Sequence, residues 1–435
     1  MSSPQQYVNW FRASSPYIHS HRGRTFVIYI SGETITHAGF ANLIHDIALL
    51  NSLGVKLVLV HGARPQIEQQ LNTLNITSEF HQGWRMTHAN VLPGVEQAVG
   101  QVRVNIETQL SMGLINTPMS GASLRVVSGN FVTARPYGVR DGVDFGFTGS
   151  VRKVDTEAIQ QQLDLNNIVL LSPVAYSPSG EAFNCRAEDI ATATASALGA
   201  NKLILMMPDN GVKNEQQQLV HQLNLLEAES LYHKQLNNDL VQLHLRSAID
   251  ACKQGVRRAH LISHNTDGAL LLELYTRDGS GTMVTTDTYE GLRQANINDV
   301  GGLLELIAPL EEQQILAHRS REQLELEIGQ FTVIERDGMI IACAALYPYD
   351  NHCAELACVA VHPSYQKRGR ANELLQHIQQ QCLQKEINQL FILTTHTAHW
   401  FVEQGFVEGK LEQIPIQRRN MYNAQRNSKI YIKQL

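Results

Sequence analysis

CVAVHPSYQKRGRANELL, residues 358–375, sets three things in succession: an apolar run, a loop with one glycine and three basic residues, and a stretch of helix formers. The apolar run is the tail of ELACVAV (355–361), and ANELLQHIQQQCLQK (371–385) repeats its apolar residues at helical spacing. A loop that passes from a strand straight into a helix turns successive backbone N–H groups toward an anion at the helix's positive end. Small residues at Gly369 and Ala371 permit close approach, so a pyrophosphate is the expected guest of Gln366, Lys367, Arg368, Gly369, Arg370 and Ala371.

With ELACVAV ahead and LFILTTHTAHWFVEQGF (390–406) behind, the stretch resembles the acetyl-CoA loop of the GNAT acetyltransferase superfamily, Q/R-x-x-G-x-G/A. The resemblance implies acetyl-CoA as co-substrate, with backbone N–H groups of the segment Cys358 to Val361, Val359 and Val361 among them, polarising the thioester carbonyl. Glu355 is the only carboxylate of this strand, so it is the expected base, drawing a proton from an ammonium through a water. The superfamily's usual acid is a tyrosine four residues before the glycine of a GF pair. Here that position is Phe401, which leaves Tyr422, Ser428 or unaided departure of the thiolate.

An acceptor with carboxylates calls for guanidinium groups, which grip them in two-pronged, charge-assisted pairs. Arg319 in AHRSREQLELEI (317–328) and Arg426 in YNAQRNSK (422–429) are the candidates, with Cys358 and Ser428 completing the expected acceptor site.

Upstream the pattern changes. From Thr25 to about Met283, short apolar runs such as TFVIYI, VKLVLV and KLILMM alternate with amphipathic stretches, the signature of a parallel sheet between helices. This part resembles the amino-acid kinase fold, acetylglutamate kinase in particular, through VHGARPQIEQQL (60–71) and FNCRAEDIATATASALGANKLILM (183–206). In FVIYISGET (26–34), however, Tyr29 stands where such kinases keep a lysine and Ser31 where they keep a glycine, while Ala63 and Arg64 replace a glycine pair. Phosphoryl transfer depends on positioned positive charge, so the domain is expected to be kinase-inactive.

A kinase-like domain ahead of a GNAT domain resembles the family of bacterial N-acetylglutamate synthases along nearly the whole chain. The fold class expected is α/β: an amino-acid-kinase-like sandwich with a mainly parallel sheet, then an α+β acetyltransferase domain. The expected divisions are an arm at 1–20, a regulatory domain at 21–287 and the GNAT domain at 288–435. The resemblance implies acetyl transfer to L-glutamate, and inhibition by L-arginine at Lys202, Glu273, Gly279 and Gly281, as though the fold kept its pocket and changed its ligand. The aromatic segment Tyr7 to Ile18 docks either on its own domain or on a neighbouring subunit, and the family's hexamers favour the second. Two other readings stay open: a kinase that still phosphorylates acetylglutamate, and an arginine sensor whose GNAT part is degenerate at Phe401.

Composition bounds the rest. A net charge of −6 with no basic stripe argues against nucleic acid. No run reaches the ~18–20 apolar residues of a membrane span, and no signal-peptide layout is visible, so a cytoplasmic protein is expected. The six cysteines are scattered, which predicts neither disulfides nor a metal.

Overall fold

The computed structural model describes residues 4–112, 117, 119–214, 216–234, 239–276, 279–286, 290–336, 339–350, 352–366, 369–395, 398–423, 426 and 428–435. The chain divides into two compact units, Met1–Asp287 and Thr288–Leu435.

The first unit is built on an eight-stranded sheet. Its centre is Thr25–Ile30, flanked by parallel Lys56–His61 on one side and Lys202–Met207 on the other, and only the pairing of Arg258–Ser263 with Thr282–Thr285 is antiparallel. The middles of the three central strands are apolar because both faces are covered. Val27, Tyr29, Val58 and Val60 face a core shared with helices Ala187–Ala197 and Asp239–Lys253. Phe26, Ile28 and Ile30 face the opposite core with helices Phe40–Ser52, Arg64–Thr73 and Leu92–Leu110. A four-stranded sheet, with Val132–Pro136 and Gly149–Val154 as a pair, is added beside it. The helix Pro4–His21 lays Tyr17 and Ile18 against the second core, and its His21 Nε2 meets the Leu274 carbonyl at 2.9 Å. Trp10 and Phe11 on the same helix are left exposed.

The second unit is a seven-stranded sheet in the order 290–294, 331–336, 339–349, 353–361, 389–394, 429–434, 407–409. All neighbours are antiparallel except the central pair, Cys353–Val361 with Gln389–Thr394. Asp337-Gly338, a dipeptide that favours a hairpin turn, lies outside the described residues, and Phe331–Arg336 and Met339–Tyr349 on either side of it pair antiparallel. Helix Arg370–Gln384 covers one face through Leu374, Leu375, Ile378 and Cys382, a stripe at helical spacing. Helix Val300–Glu312 covers the other through Val300, Leu303, Leu306 and Ile307. Among the described residues no helix is long and apolar enough to cross a membrane.

Candidate active site

The central parallel pair forks. Ladder pairing joins Cys353, Ala354 and Glu355 to Gln389, Leu390 and Phe391 and ends there, while both strands continue. Just past the fork, the register against Met339–Tyr349 slips, so that Cys358 and Val359 together oppose one residue, and Cys358 takes φ 52°. A left-handed cysteine within a strand is strained, and strain of this kind collects at working sites. Beyond the bulge Val359 and Val361 pack toward the core under helix Arg370–Gln384, and Cys358 joins the opposite core. The fork leaves the strand's edge from Leu356 onward without ladder partners on that side among the described residues, free to meet an extended guest and its carbonyl.

The loop after this strand is braced from within. Gln366 Nε2 donates to the Val361 carbonyl at 3.2 Å. Arg370, which is buried, donates from Nη1 to the Tyr365 carbonyl at 2.9 Å and lies over the Tyr365 ring at 4.9 Å. Its side chain therefore builds the loop, and its amide is what it offers a ligand. Gly369 starts the helix at φ 81° with open space where a Cβ would stand, and no side chain caps that end. The first helical amides have no intrahelical partner, so an anion is their natural complement. Lys367 and Arg368 lie outside the described residues.

At the fork itself Glu355 is buried rather than an exposed strand acid. Arg418 grips it at both oxygens, Nε to Oε2 at 2.6 Å and Nη2 to Oε1 at 3.1 Å, and Tyr349 OH approaches Oε2 at 3.4 Å. Arg319 and Arg426 are brought together. Burial first, and then the like charge of Arg319, lower the pKa of Arg426, and the same Arg319 charge reaches Arg418. Arg426 Nη2 donates to the carbonyls of Gln314 and Ile315, at 3.2 and 2.8 Å, tying it to the segment that carries Arg319. Arg319 is also hydrogen-bonded to Tyr347 and within electrostatic reach of Cys358. Arg319 is thus within electrostatic reach of both Arg426 and Arg418, and the Arg319–Arg426 pair suits the carboxylates of an acceptor.

Of the candidate acids Tyr422 and Ser428, the first has its hydroxyl engaged. Phe401 is buried in the core with Phe406, and the Tyr422 hydroxyl donates to the Ser428 carbonyl at 2.9 Å, so its proton is already committed.

In the first unit Tyr29 OH donates to Glu188 at 2.8 Å, deep in a cavity of about 830 Å³, open mouth included, that Gly32, Gly62, Arg64 and Arg186 also line. Lys202, Glu273, Gly279 and Gly281 do not line that cavity. They form a different cluster. Lys202, buried and not a surface charge, meets His260 Nε2 at 3.2 Å, and His260 Nδ1 meets Glu273 Oε1 at 2.7 Å. Glu273 Oε2 accepts the amides of Ser280 and Gly281 at 2.6 and 2.9 Å. A Cβ at Gly279 would meet that carboxylate at 2.5 Å, so only glycine fits there. Burial raises the Glu273 pKa, but the His260 hydrogen bond and charge and the two amides outweigh it, bringing it down to about 2. Burial and then the Lys202 charge lower His260 to about 4, and the same two causes lower His21 to about 4.

Arg418, Tyr347, Tyr349, His260 and His21 were not singled out in the sequence. Each gains its place from a long-range contact, and no local spacing signals it.

Residues 24–263 match the model of the amino acid kinase family, and residues 302–406 that of the acetyltransferase (GNAT) family. The chain is 53% identical to an amino-acid acetyltransferase of Ectopseudomonas mendocina over 99% of both chains. It is 52% identical to one of Pseudomonas fluorescens, over 99% of this chain and all of that one. Among solved structures it is similar to N-acetylglutamate synthase from Neisseria gonorrhoeae complexed with coenzyme A and L-arginine, with TM-score 0.90 and 37% identity over 99% of each chain. The same enzyme complexed with coenzyme A and N-acetyl-glutamate gives TM-score 0.63 and 38% identity, again over 99% of each.

Proposed function

The chain belongs to the amino-acid acetyltransferase family, and from that premise we infer that it moves the acetyl group of acetyl-CoA to the α-amine of L-glutamate, yielding N-acetyl-L-glutamate and free coenzyme A. It is a GNAT N-acetyltransferase with an amino-acid-kinase-like domain, placed at the first step of arginine biosynthesis and restrained by L-arginine. The observation that carries the chemistry is Glu355 at the strand fork, held by Arg418, with Arg319 in electrostatic reach of both Arg418 and Arg426.

The proposed sequence of events follows from those groups. The amides at the front of helix Arg370–Gln384 hold the coenzyme's diphosphate, with the Gly369 turn allowing close approach. Backbone N–H groups of the strand from Cys358 to Val361 polarise the thioester carbonyl. Arg319 and Arg426, with Cys358 and Ser428 near the bound acid, hold the carboxylates of glutamate. Glu355 takes a proton from the ammonium through a water, and the freed amine nitrogen bonds to the thioester carbon. The C–S bond then breaks, and the second proton lost by nitrogen ends on the coenzyme thiolate. Accumulation of free thiol on mixing the full chain with acetyl-CoA and L-glutamate tests the reading; no thiol above the rate without glutamate would refute it.

Arginine inhibition we assign to the cluster of Lys202, Glu273, Gly279 and Gly281. It is supported by a buried carboxylate held ionised by His260 and by the amides of Ser280 and Gly281, which suits a guanidinium. Glu273→Gln keeps the side chain's shape and removes its charge. Acetyl transfer should persist while the arginine concentration for half inhibition rises by roughly tenfold or more, the worth of one charge-assisted bond. Unchanged sensitivity would take Glu273 out of the site.

We also read the protein as a cytoplasmic homo-oligomer, a hexamer by preference. The exposed Trp10 and Phe11, on a helix otherwise docked on its own unit, support a surface that a neighbouring subunit covers.

A further inference from the structure

The guanidinium of Arg418 is fixed at three corners. Two hold the oxygens of Glu355, and the third, Nη1, donates to the Met421 carbonyl at 3.3 Å. The short helix that carries it, Ile416–Arg419, buries none of its residues in a core, yet it is pinned on both sides. Gln417 Nε2 donates to Asp350 Oδ2 at 2.6 Å, and Arg419 donates to the carbonyls of Ile414 and Glu412 at 2.9 and 3.0 Å. An exposed turn needs no such bracing. A guanidinium that must aim at one carboxylate does.

We propose that Arg418 is the positioning residue of the reaction, clamping the Glu355 carboxylate at the strand fork in one rotamer. This rests on the reading of Glu355 as the base. A carboxylate as buried as this one needs a hydrogen-bonded counter-charge. The groups that face it are the Tyr349 hydroxyl on the neighbouring strand and Arg418, so Arg418 supplies the counter-charge. The pairing also leaves room for chemistry. Oε2 is occupied by Arg418 Nε and approached by Tyr349 OH, whereas among the described residues Oε1 accepts only from Arg418 Nη2. Oε1 therefore keeps a lone pair for the water that relays the ammonium's proton. Lysine, a single point charge, cannot hold both oxygens in this plane.

Steady-state kinetics of the full chain, followed by thiol release, tests this with Arg418→Ala, Arg418→Lys and Glu355→Gln side by side. In Arg418→Ala the turnover number should fall roughly ten- to a hundredfold, the cost of a misplaced catalytic group, with the KM for acetyl-CoA unchanged. Added guanidinium ion at non-denaturing concentration should restore turnover in Arg418→Ala saturably, and sodium chloride at equal ionic strength should not. Arg418→Lys, which keeps the charge should the alanine protein fold poorly, should remain slow with an unaltered KM for acetyl-CoA. Wild-type turnover in either variant would overturn the proposal, as would slow turnover without rescue and with both KM values raised, which marks a structural role. Full activity of Glu355→Gln would instead sink the base reading on which the proposal stands. An inactive Glu355→Gln beside an unaffected Arg418→Ala would sink the proposal alone.

Discussion

Glu355→Gln should lower the turnover of acetyl transfer by about 10²–10⁴-fold, the range a positioned general base contributes, while leaving coenzyme binding as it was. The amide cannot accept the ammonium's proton, and the contacts proposed for the coenzyme lie with the loop and the Gly369 turn, away from the Glu355 hydrogen bonds. Some loss of stability should accompany it, because Arg418 is left partly buried with a weaker partner. The check is thiol release at saturating substrates beside a coenzyme titration of the same preparation. Undiminished turnover would remove Glu355 from the chemistry, and lost coenzyme binding would show that its role is to hold the fork.

Arg426→Ala should raise the KM for L-glutamate by roughly ten- to a hundredfold, as expected for one hydrogen-bonded charge on a carboxylate, and leave that for acetyl-CoA nearly unchanged. Two effects add. The guanidinium is lost as a partner of the acceptor, and the Gln314 and Ile315 carbonyls lose the donor that ties them to it, loosening the segment that presents Arg319. For the second reason Arg426→Lys should restore little, since one ammonium does not replace a fork of donors. Equal rises in both KM values would assign Arg426 to structure and leave acceptor recognition to Arg319.

How much of this the sequence disclosed follows from where each signal lies. The loop at 366–371 was legible because strand, glycine and helix are contiguous, and a positive φ at Gly369 is a local demand on the backbone. The two sheets were legible because strands buried on both faces, such as Val27 to Ile30, must be continuous apolar runs. Glu355 could be picked as the strand's lone acid, but its burial and its pairing with Arg418 depend on a contact across 63 positions. The bulge at Cys358 was hidden for another reason: no residue there favours a left-handed backbone, so the strain is imposed by the sheet. Lys202, Glu273 and Gly281 could be picked from the sequence, but their linkage through His260 depends on contacts that join Lys202–Met207, Arg258–Ser263 and the segment 273–281.

The central claim is that amides at the start of helix Arg370–Gln384 cradle the diphosphate of coenzyme A, so that the thioester reaches the fork where Glu355 waits. Calorimetric titration of the full chain with coenzyme A tests it most directly. Saturable heat at one coenzyme per chain, greatly weakened when Gly369→Val forces a branched side chain into a left-handed turn, is the result expected. Absence of binding, or binding indifferent to that substitution, would contradict it.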